Sequence, residues 1–69
     1  MAENETETAA LRTLIVDDEP LAVEDIQAIC AELPAINVVG TASDGAAALR
    51  LAEKLEPDLV LLDMTMPEL

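Results

Sequence analysis

Apolar positions along the chain fall into blocks separated by polar or proline-containing breaks. Leu11 to Val16 is a short aliphatic run, which by its length and Ile-Val content predicts a buried strand. Pro20 then presets φ for a first helical turn, and Glu19 suits the positive end of a helix dipole. From there Ala22, Ile26, Ile29, Cys30 and Leu33 recur at helical spacing, with Glu24, Asp25 and Glu32 off that stripe, and Pro34 ends the helix. Ile36-Asn37-Val38-Val39-Gly40 reads as a second strand. Ser43 or Asp44 caps a second helix, whose buried face is Ala48, Leu51, Ala52 and Leu55 and which Pro57 stops. Asp58-Leu59-Val60-Leu61-Leu62 is a third strand. Its apolar residues do not alternate, so both faces are expected to be covered, as in a parallel sheet. The order β-α-β-α-β with right-handed crossovers puts the first strand between the other two, in sheet order 2-1-3.

Residues 1–10 alternate Glu, Thr and Ala without an apolar period and are expected to be a disordered acidic tail before a folded unit over 11–69. Glu3, Glu5 and Glu7 act there as a solvating run. At 69 residues the chain is shorter than the common domain size of roughly 100–150. Its hydrophobic fraction of 52% contains no aromatic residue, so the core must be built from Leu, Ile, Val and Ala. Three basic against 15 acidic residues give a formal net charge of −12. That balance argues against contact with nucleic acid or an anionic membrane by these residues, and favours a cationic ligand or a basic protein partner. No run approaches the ~18 apolar residues of a membrane span, and the N-terminus lacks the order of a signal peptide. Cys30 has no second cysteine to bridge, which fits a reducing compartment and a cytoplasmic location. It sits on the apolar stripe and reads as a small core residue.

Two of the strands end in acids: Val16 is followed by Asp17-Asp18, and Leu62 by Asp63. In an open α/β sheet the carboxyl ends of the strands are where ligands bind, so Asp17, Asp18 and Asp63 are expected to converge. An isolated Asp-Asp pair is more often a solvated turn; the matching Asp63 is what raises it to a candidate site. Two such charges 4 Å apart repel by on the order of 4 kcal/mol at an effective dielectric of 20. A proton or a cation relieves this, and Mg²⁺ suits oxygen ligands while keeping several waters. A carboxylate in such a site can attack phosphorus to form an acyl phosphate, with the protein mainly positioning the parts. Asp63, alone at its strand end, is the nucleophile candidate, and Asp17-Asp18 is the metal side.

These segments together resemble the receiver domains of two-component response regulators. The resemblance covers residues 11–69 and rests on Leu14-Ile15-Val16-Asp17-Asp18-Glu19-Pro20, Asp44-Gly45-Ala46-Ala47-Ala48-Leu49, Pro57 to Asp63, and Met66-Pro67, which completes a D-x-x-M-P signature. It implies a flavodoxin-like receiver in which Asp63 takes a phosphoryl group from a phosphohistidine on a sensor kinase or phosphotransfer protein. Asp18 would bind Mg²⁺ directly, Asp17 would assist through water, and Asp63 and the backbone carbonyl of Thr65 would be further ligands. The Thr65 side chain would tune dephosphorylation. Such a module takes part in its own phosphorylation and is not a turnover enzyme. Residues 16–22, Val-Asp-Asp-Glu-Pro-Leu-Ala, are similar to regulators with LytTR-type DNA-binding output domains.

The family pattern continues with two more strands and three more helices, carrying a hydroxyl residue and a lysine that grip the phosphoryl group. This sequence runs to Leu69, and Lys54 does not match that lysine. The third strand is then expected to present an open edge, completed by a second copy, by element exchange or by a missing half. The alternative to phosphoacceptance is a dimerisation or interaction module. A haloacid-dehalogenase-type phosphatase usually has a second Asp two positions after its nucleophile, where Thr65 stands, and a dinucleotide-binding unit needs a G-x-G-x-x-G that is missing after the first strand. Met64 and Met66 read as packing residues and Pro67 as shaping the loop.

Overall fold

The computed structural model describes residues 10–63. Strand β1 (Leu11–Val16) is followed by helix α1 (Pro20–Ala31), strand β2 (Ile36–Ala42), helix α2 (Gly45–Leu55) and strand β3 (Leu59–Leu62). The three strands form one parallel sheet in the order β2-β1-β3. The second crossover returns past β1, so two right-handed crossovers place α1 and α2 on opposite faces of the sheet. This is the architecture that the apolar pattern predicts.

The core centres on β1, where Thr13, Leu14, Ile15 and Val16 are all buried and Ile15 is 0% exposed. Strand alternation sends Leu14 and Val16 to one face, where they pack with Ala42 and Ala48 and with the half-buried Ala47, Leu51 and Ala52 of α2. Thr13 and Ile15 point the other way. The buried Thr13 hydroxyl is satisfied locally by donating to the Leu11 carbonyl at 3.0 Å. Fully burying each aliphatic side chain contributes roughly 1.5–3 kcal/mol, so a core without aromatics depends heavily on these few positions.

The two edges of β1 differ in regularity. Against β2 the pairing runs Leu11↔Ile36 to Thr13↔Val38, then resumes at Leu14↔Gly40, leaving Val39 as an extra residue. This is a bulge, which bends and twists a strand locally. Gly40 lies tightly beneath α2: a Cβ there would lie 2.8 Å from Leu55 Cδ1 and 3.5 Å from Leu14 Cδ1. Against β3 the register is straight, from Thr13↔Leu59 to Val16↔Leu62.

Several local expectations change. Helix α1 ends at Ala31, three residues before Pro34, and is closed by the Glu32 N–H donating to the Ile29 carbonyl and the Leu33 N–H donating to the Cys30 carbonyl. Of the expected α1 stripe, Cys30 is buried and Ala22 and Ile26 are half-buried, while Ile29 is 61% exposed and Leu33 is also exposed. Helix α1 rests mainly on β2 and the edge of β1, so only a narrow part of its surface finds a partner among the described residues. The expected double coverage of β3 is also not seen there. Leu59 and Leu61 are half-buried, but Val60 and Leu62 are 45% and 43% exposed. They line an open apolar groove of about 180 Å³ with Leu14, Val16, Ala48, Leu49 and Ala52.

Helix α2 starts as expected, with Asp44 as its cap: the carboxylate accepts the Ala47 N–H at 2.7 Å. Its other end is unusual. Glu56 takes a left-handed conformation, φ 50°, and donates its N–H to the Ala52 carbonyl at 2.9 Å. Glycine normally occupies that position because a Cβ is strained there. The acidic tail over 1–9 and the stretch Met64-Thr65-Met66-Pro67 lie outside the described residues; Ala10, the last residue assigned to the tail, is half-buried beside β1.

Candidate acidic site at the carboxyl ends of the strands

Parallel pairing brings the ends of β1 and β3 side by side. Beyond Val16↔Leu62 the next residues are Asp17 and Asp63, and the Asp63 N–H donates to the Val16 carbonyl at 3.0 Å. On the other side the Asp17 N–H donates to the Ala42 carbonyl at 3.0 Å. Asp17 is thus bonded to β2, follows the residue that accepts the Asp63 N–H, and is 8% exposed. Its carboxylate accepts the Glu19 N–H at 3.0 Å, an Asx turn that helps α1 start. Glu19, expected at the positive end of the helix dipole, is the N-cap residue of α1 and makes no side-chain cap hydrogen bond.

The expected convergence is present. Asp17, Asp18 and Asp63 each offer one carboxylate oxygen, and these oxygens all lie within 4.8 Å of one another. Asp17 is buried, Asp18 exposed and Asp63 half-buried, so the site has a shielded inner side and an open outer side. Opposite vertices of a Mg²⁺ shell are about 4.2 Å apart, given Mg–O distances of 2.0–2.1 Å. Oxygens spread up to 4.8 Å suit such an ion when at least one carboxylate reaches it through water. An all-carboxylate donor set is the hard-oxygen chemistry that Mg²⁺ takes, so the residues present fit the ion.

A feature that reading the sequence missed lies on the β2 side. A cleft of about 280 Å³ is lined by Asp17, Asp18, Pro20, Val23, Thr41, Ala42 and Ser43. Its hydroxyl residues belong to the carboxyl end of β2, the same sheet rim as the acids. The signal was available: β2 was expected to end at Gly40, and extending it by two residues to Ala42 puts Thr41 and Ser43 at that rim. The Thr65 carbonyl, expected as a further ligand, lies outside the described residues.

The sequence pattern of the response regulator receiver domain matches residues 13–69. The chain belongs to that family. Among curated relatives, this receiver is 45% identical over 62 residues to protein-glutamate methylesterase/protein-glutamine glutaminase 2 of Koribacter versatilis (strain Ellin345), covering 90% of this chain and 17% of the relative. Among solved structures it superimposes with a TM-score of 0.81 and 42% identity on the signal receiver domain of the response regulator NarL from Mycobacterium tuberculosis, over 87% of this chain and 48% of that one. It also matches RcsB from Salmonella enterica serovar Typhimurium, bound to promoter rprA with the phosphomimetic BeF₃⁻, at a TM-score of 0.78 and 27% identity, over 86% of this chain and 29% of that one. The chain therefore spans less than a fifth of the curated relative and about half of a receiver domain solved alone. The matched region is the receiver; the methylesterase activity in the relative's name belongs to that longer protein. No helix among the described residues is long and apolar enough to cross a membrane.

Proposed function

We propose that this receiver is a phosphoacceptor module of a two-component system, with Asp63 as the residue that takes the phosphoryl group. The observation that carries the reading is the gathering of the Asp17, Asp18 and Asp63 carboxylates within 4.8 Å at the strand ends. Membership of the receiver family and the phosphomimetic in the RcsB complex support it. A carboxylate oxygen of Asp63 attacks the phosphorus of a phosphohistidine on a sensor kinase or phosphotransfer protein. The new O–P bond forms as the P–N bond breaks, and the imidazole nitrogen keeps the electron pair. Mg²⁺, when bound, neutralises charge on the transferring oxygens. Asp18 would hold it directly and Asp17 through water, with Asp63 and the Thr65 backbone carbonyl as further ligands. Asp17 is the better anchored of the pair, since its backbone is bonded to β2 and its carboxylate to the Glu19 N–H. The chain's net charge of −12 suits a basic docking surface on the donor. We place the module in the cytoplasm, in keeping with its free, buried Cys30.

The test is intact mass after incubation with Mg²⁺ and acetyl phosphate. The expected result is one phosphoryl adduct that vanishes in Asp63→Asn. Mg²⁺ should also raise the melting temperature by binding only the folded site, and Asp18→Ala should lose most of that gain. An Asp18→Ala protein with the full Mg²⁺ effect would remove Asp18 from the ligand set.

A second reading is favoured by β3. Among the described residues it pairs with β1 alone and exposes Val60 and Leu62. An interaction module would use this edge to pair with a second copy and form a homodimer, without phosphorylation. Absence of any adduct under conditions that label another receiver, together with a dimeric mass in solution, selects this reading.

A further inference from the structure

We propose that Asp58 is a positioning residue: its side chain, 46 positions from Arg12 in sequence, sets the β1–β3 register that brings Asp63 beside Asp17. The functional consequence rests on the phosphoacceptor reading above; the register claim itself does not. The carboxylate of Asp58 accepts the Arg12 backbone N–H at 2.9 Å, and the Asp58 N–H donates to the Arg12 carbonyl at 2.7 Å. Both main-chain groups of Arg12 are thereby tied to one residue. The Arg12 guanidinium also donates to the Leu55 carbonyl at the end of α2, where a cation meets the negative end of the helix dipole. The segment between α2 and β3 is thus held at its two ends by Arg12, the second residue of β1.

The distances in sequence match. Asp17 lies five positions after Arg12, and Asp63 five positions after Asp58. The four ladder pairs run between these two points without a shift, so the register made at Arg12 and Asp58 is the register that delivers the acids. Nothing else in β3 specifies it as sharply. Leu59-Val60-Leu61-Leu62 is aliphatic on both faces, so a slip of one residue exchanges aliphatic for aliphatic at three of the four pairs and brings an acid into the fourth, and hydrophobic patterning rejects it only weakly. Backbone hydrogen bonds re-form after a slip as well. The side-chain bond from Asp58 does not. A one-residue slip moves the strand by about 3.3 Å and turns Asp63 to the opposite face, which separates it from oxygens that now lie within 4.8 Å.

The experiment compares the full chain with Asp58→Ala and Asp58→Asn. Asn keeps an oxygen that can accept the Arg12 N–H; Ala does not. Cross-strand amide–Hα NOEs report register directly and need no metal. The expected result is the wild-type β1–β3 pattern in Asp58→Asn. In Asp58→Ala that pattern should be lost or joined by a slipped set, while the β1–β2 pattern from Leu11↔Ile36 to Val16↔Ala42 persists. Mg²⁺ affinity by calorimetry should fall about tenfold or more in Asp58→Ala, as for residues that orient ligands from behind, and stay near wild type in Asp58→Asn. An unchanged β1–β3 pattern in Asp58→Ala overturns the proposal. So does equal loss of both ladders, which would make Asp58 a stability residue only. Should the wild-type chain bind no Mg²⁺, the phosphoacceptor reading fails while the NOE comparison still decides the role of Asp58.

Discussion

Along β2, β1 pairs over six positions with a shift between Thr13 and Leu14; along β3 it pairs over four positions with none. The longer ladder carries the irregularity, and the shorter one leads to Asp63, the proposed phosphoacceptor. On the β2 side the bulge lets the strand bend beneath α2 at Gly40, where a side chain would meet Leu55. That ladder still ends with the Ala42 carbonyl in place to accept the Asp17 N–H. Only a main-chain acceptor is needed there, and a strand can deliver one with an extra residue along its length. On the β3 side two carboxylates must meet, and side-chain direction inverts with every residue. A side-chain tie precedes that ladder at Arg12 and Asp58, and the main-chain ladder continues past it from the Asp63 N–H to the Val16 carbonyl. Where geometry matters to the site, polar groups specify register; where it matters only to packing, the sheet tolerates a bulge.

Three substitutions sharpen this contrast. Ile15→Ala acts on both ladders at once, since Ile15 pairs with Thr41 and Leu61 and is fully buried. It should cost about 3 kcal/mol and collapse both patterns of amide protection together. A chemical denaturation midpoint close to wild type would mean that β1 is not the shared core. Gly40→Val strikes the β2 side alone. Leu55 has to move, at a cost of about 2 kcal/mol, yet Mg²⁺ affinity should stay within about twofold of wild type because the β3 register is untouched. A large loss of affinity would show that the two ladders are coupled and the contrast is false. Glu56→Gly lies just before Asp58 and relieves the left-handed backbone. It should raise stability by about 0.5 kcal/mol, seen as a small increase in melting temperature; a decrease would mean that the Glu56 side chain contributes more than its backbone costs.

Much of this was legible along the chain. The five elements and their order follow from aliphatic runs, proline positions and the Asp44 cap, because burial period and capping are local properties. The strand order follows from the crossover rule. The three site acids were identifiable as residues at the ends of apolar runs. Coverage was not legible. Ile29 and Leu33 read as core by helical spacing, and Val60 and Leu62 by an unbroken apolar strand, yet all four are exposed in the structure of residues 10–63. Periodicity says which face of an element is apolar and is silent on which partner covers it. Nor could the left-handed Glu56 be foreseen, since the usual glycine signal is missing. Asp58 read as the first residue of a strand; its bond to Arg12 spans 46 positions and leaves no local trace.

By itself the sequence determined an aliphatic β-α-β-α-β unit with acids at the carboxyl ends of two strands, because hydrophobic period, helix capping and chain direction act over a few neighbouring residues. Only the tertiary structure decided that the acids share a site, that one ladder bulges while the other runs straight, and that Asp58 lies against Arg12. Those outcomes depend on register between strands far apart in sequence, and register is settled when backbone and side-chain partners from different elements meet in space.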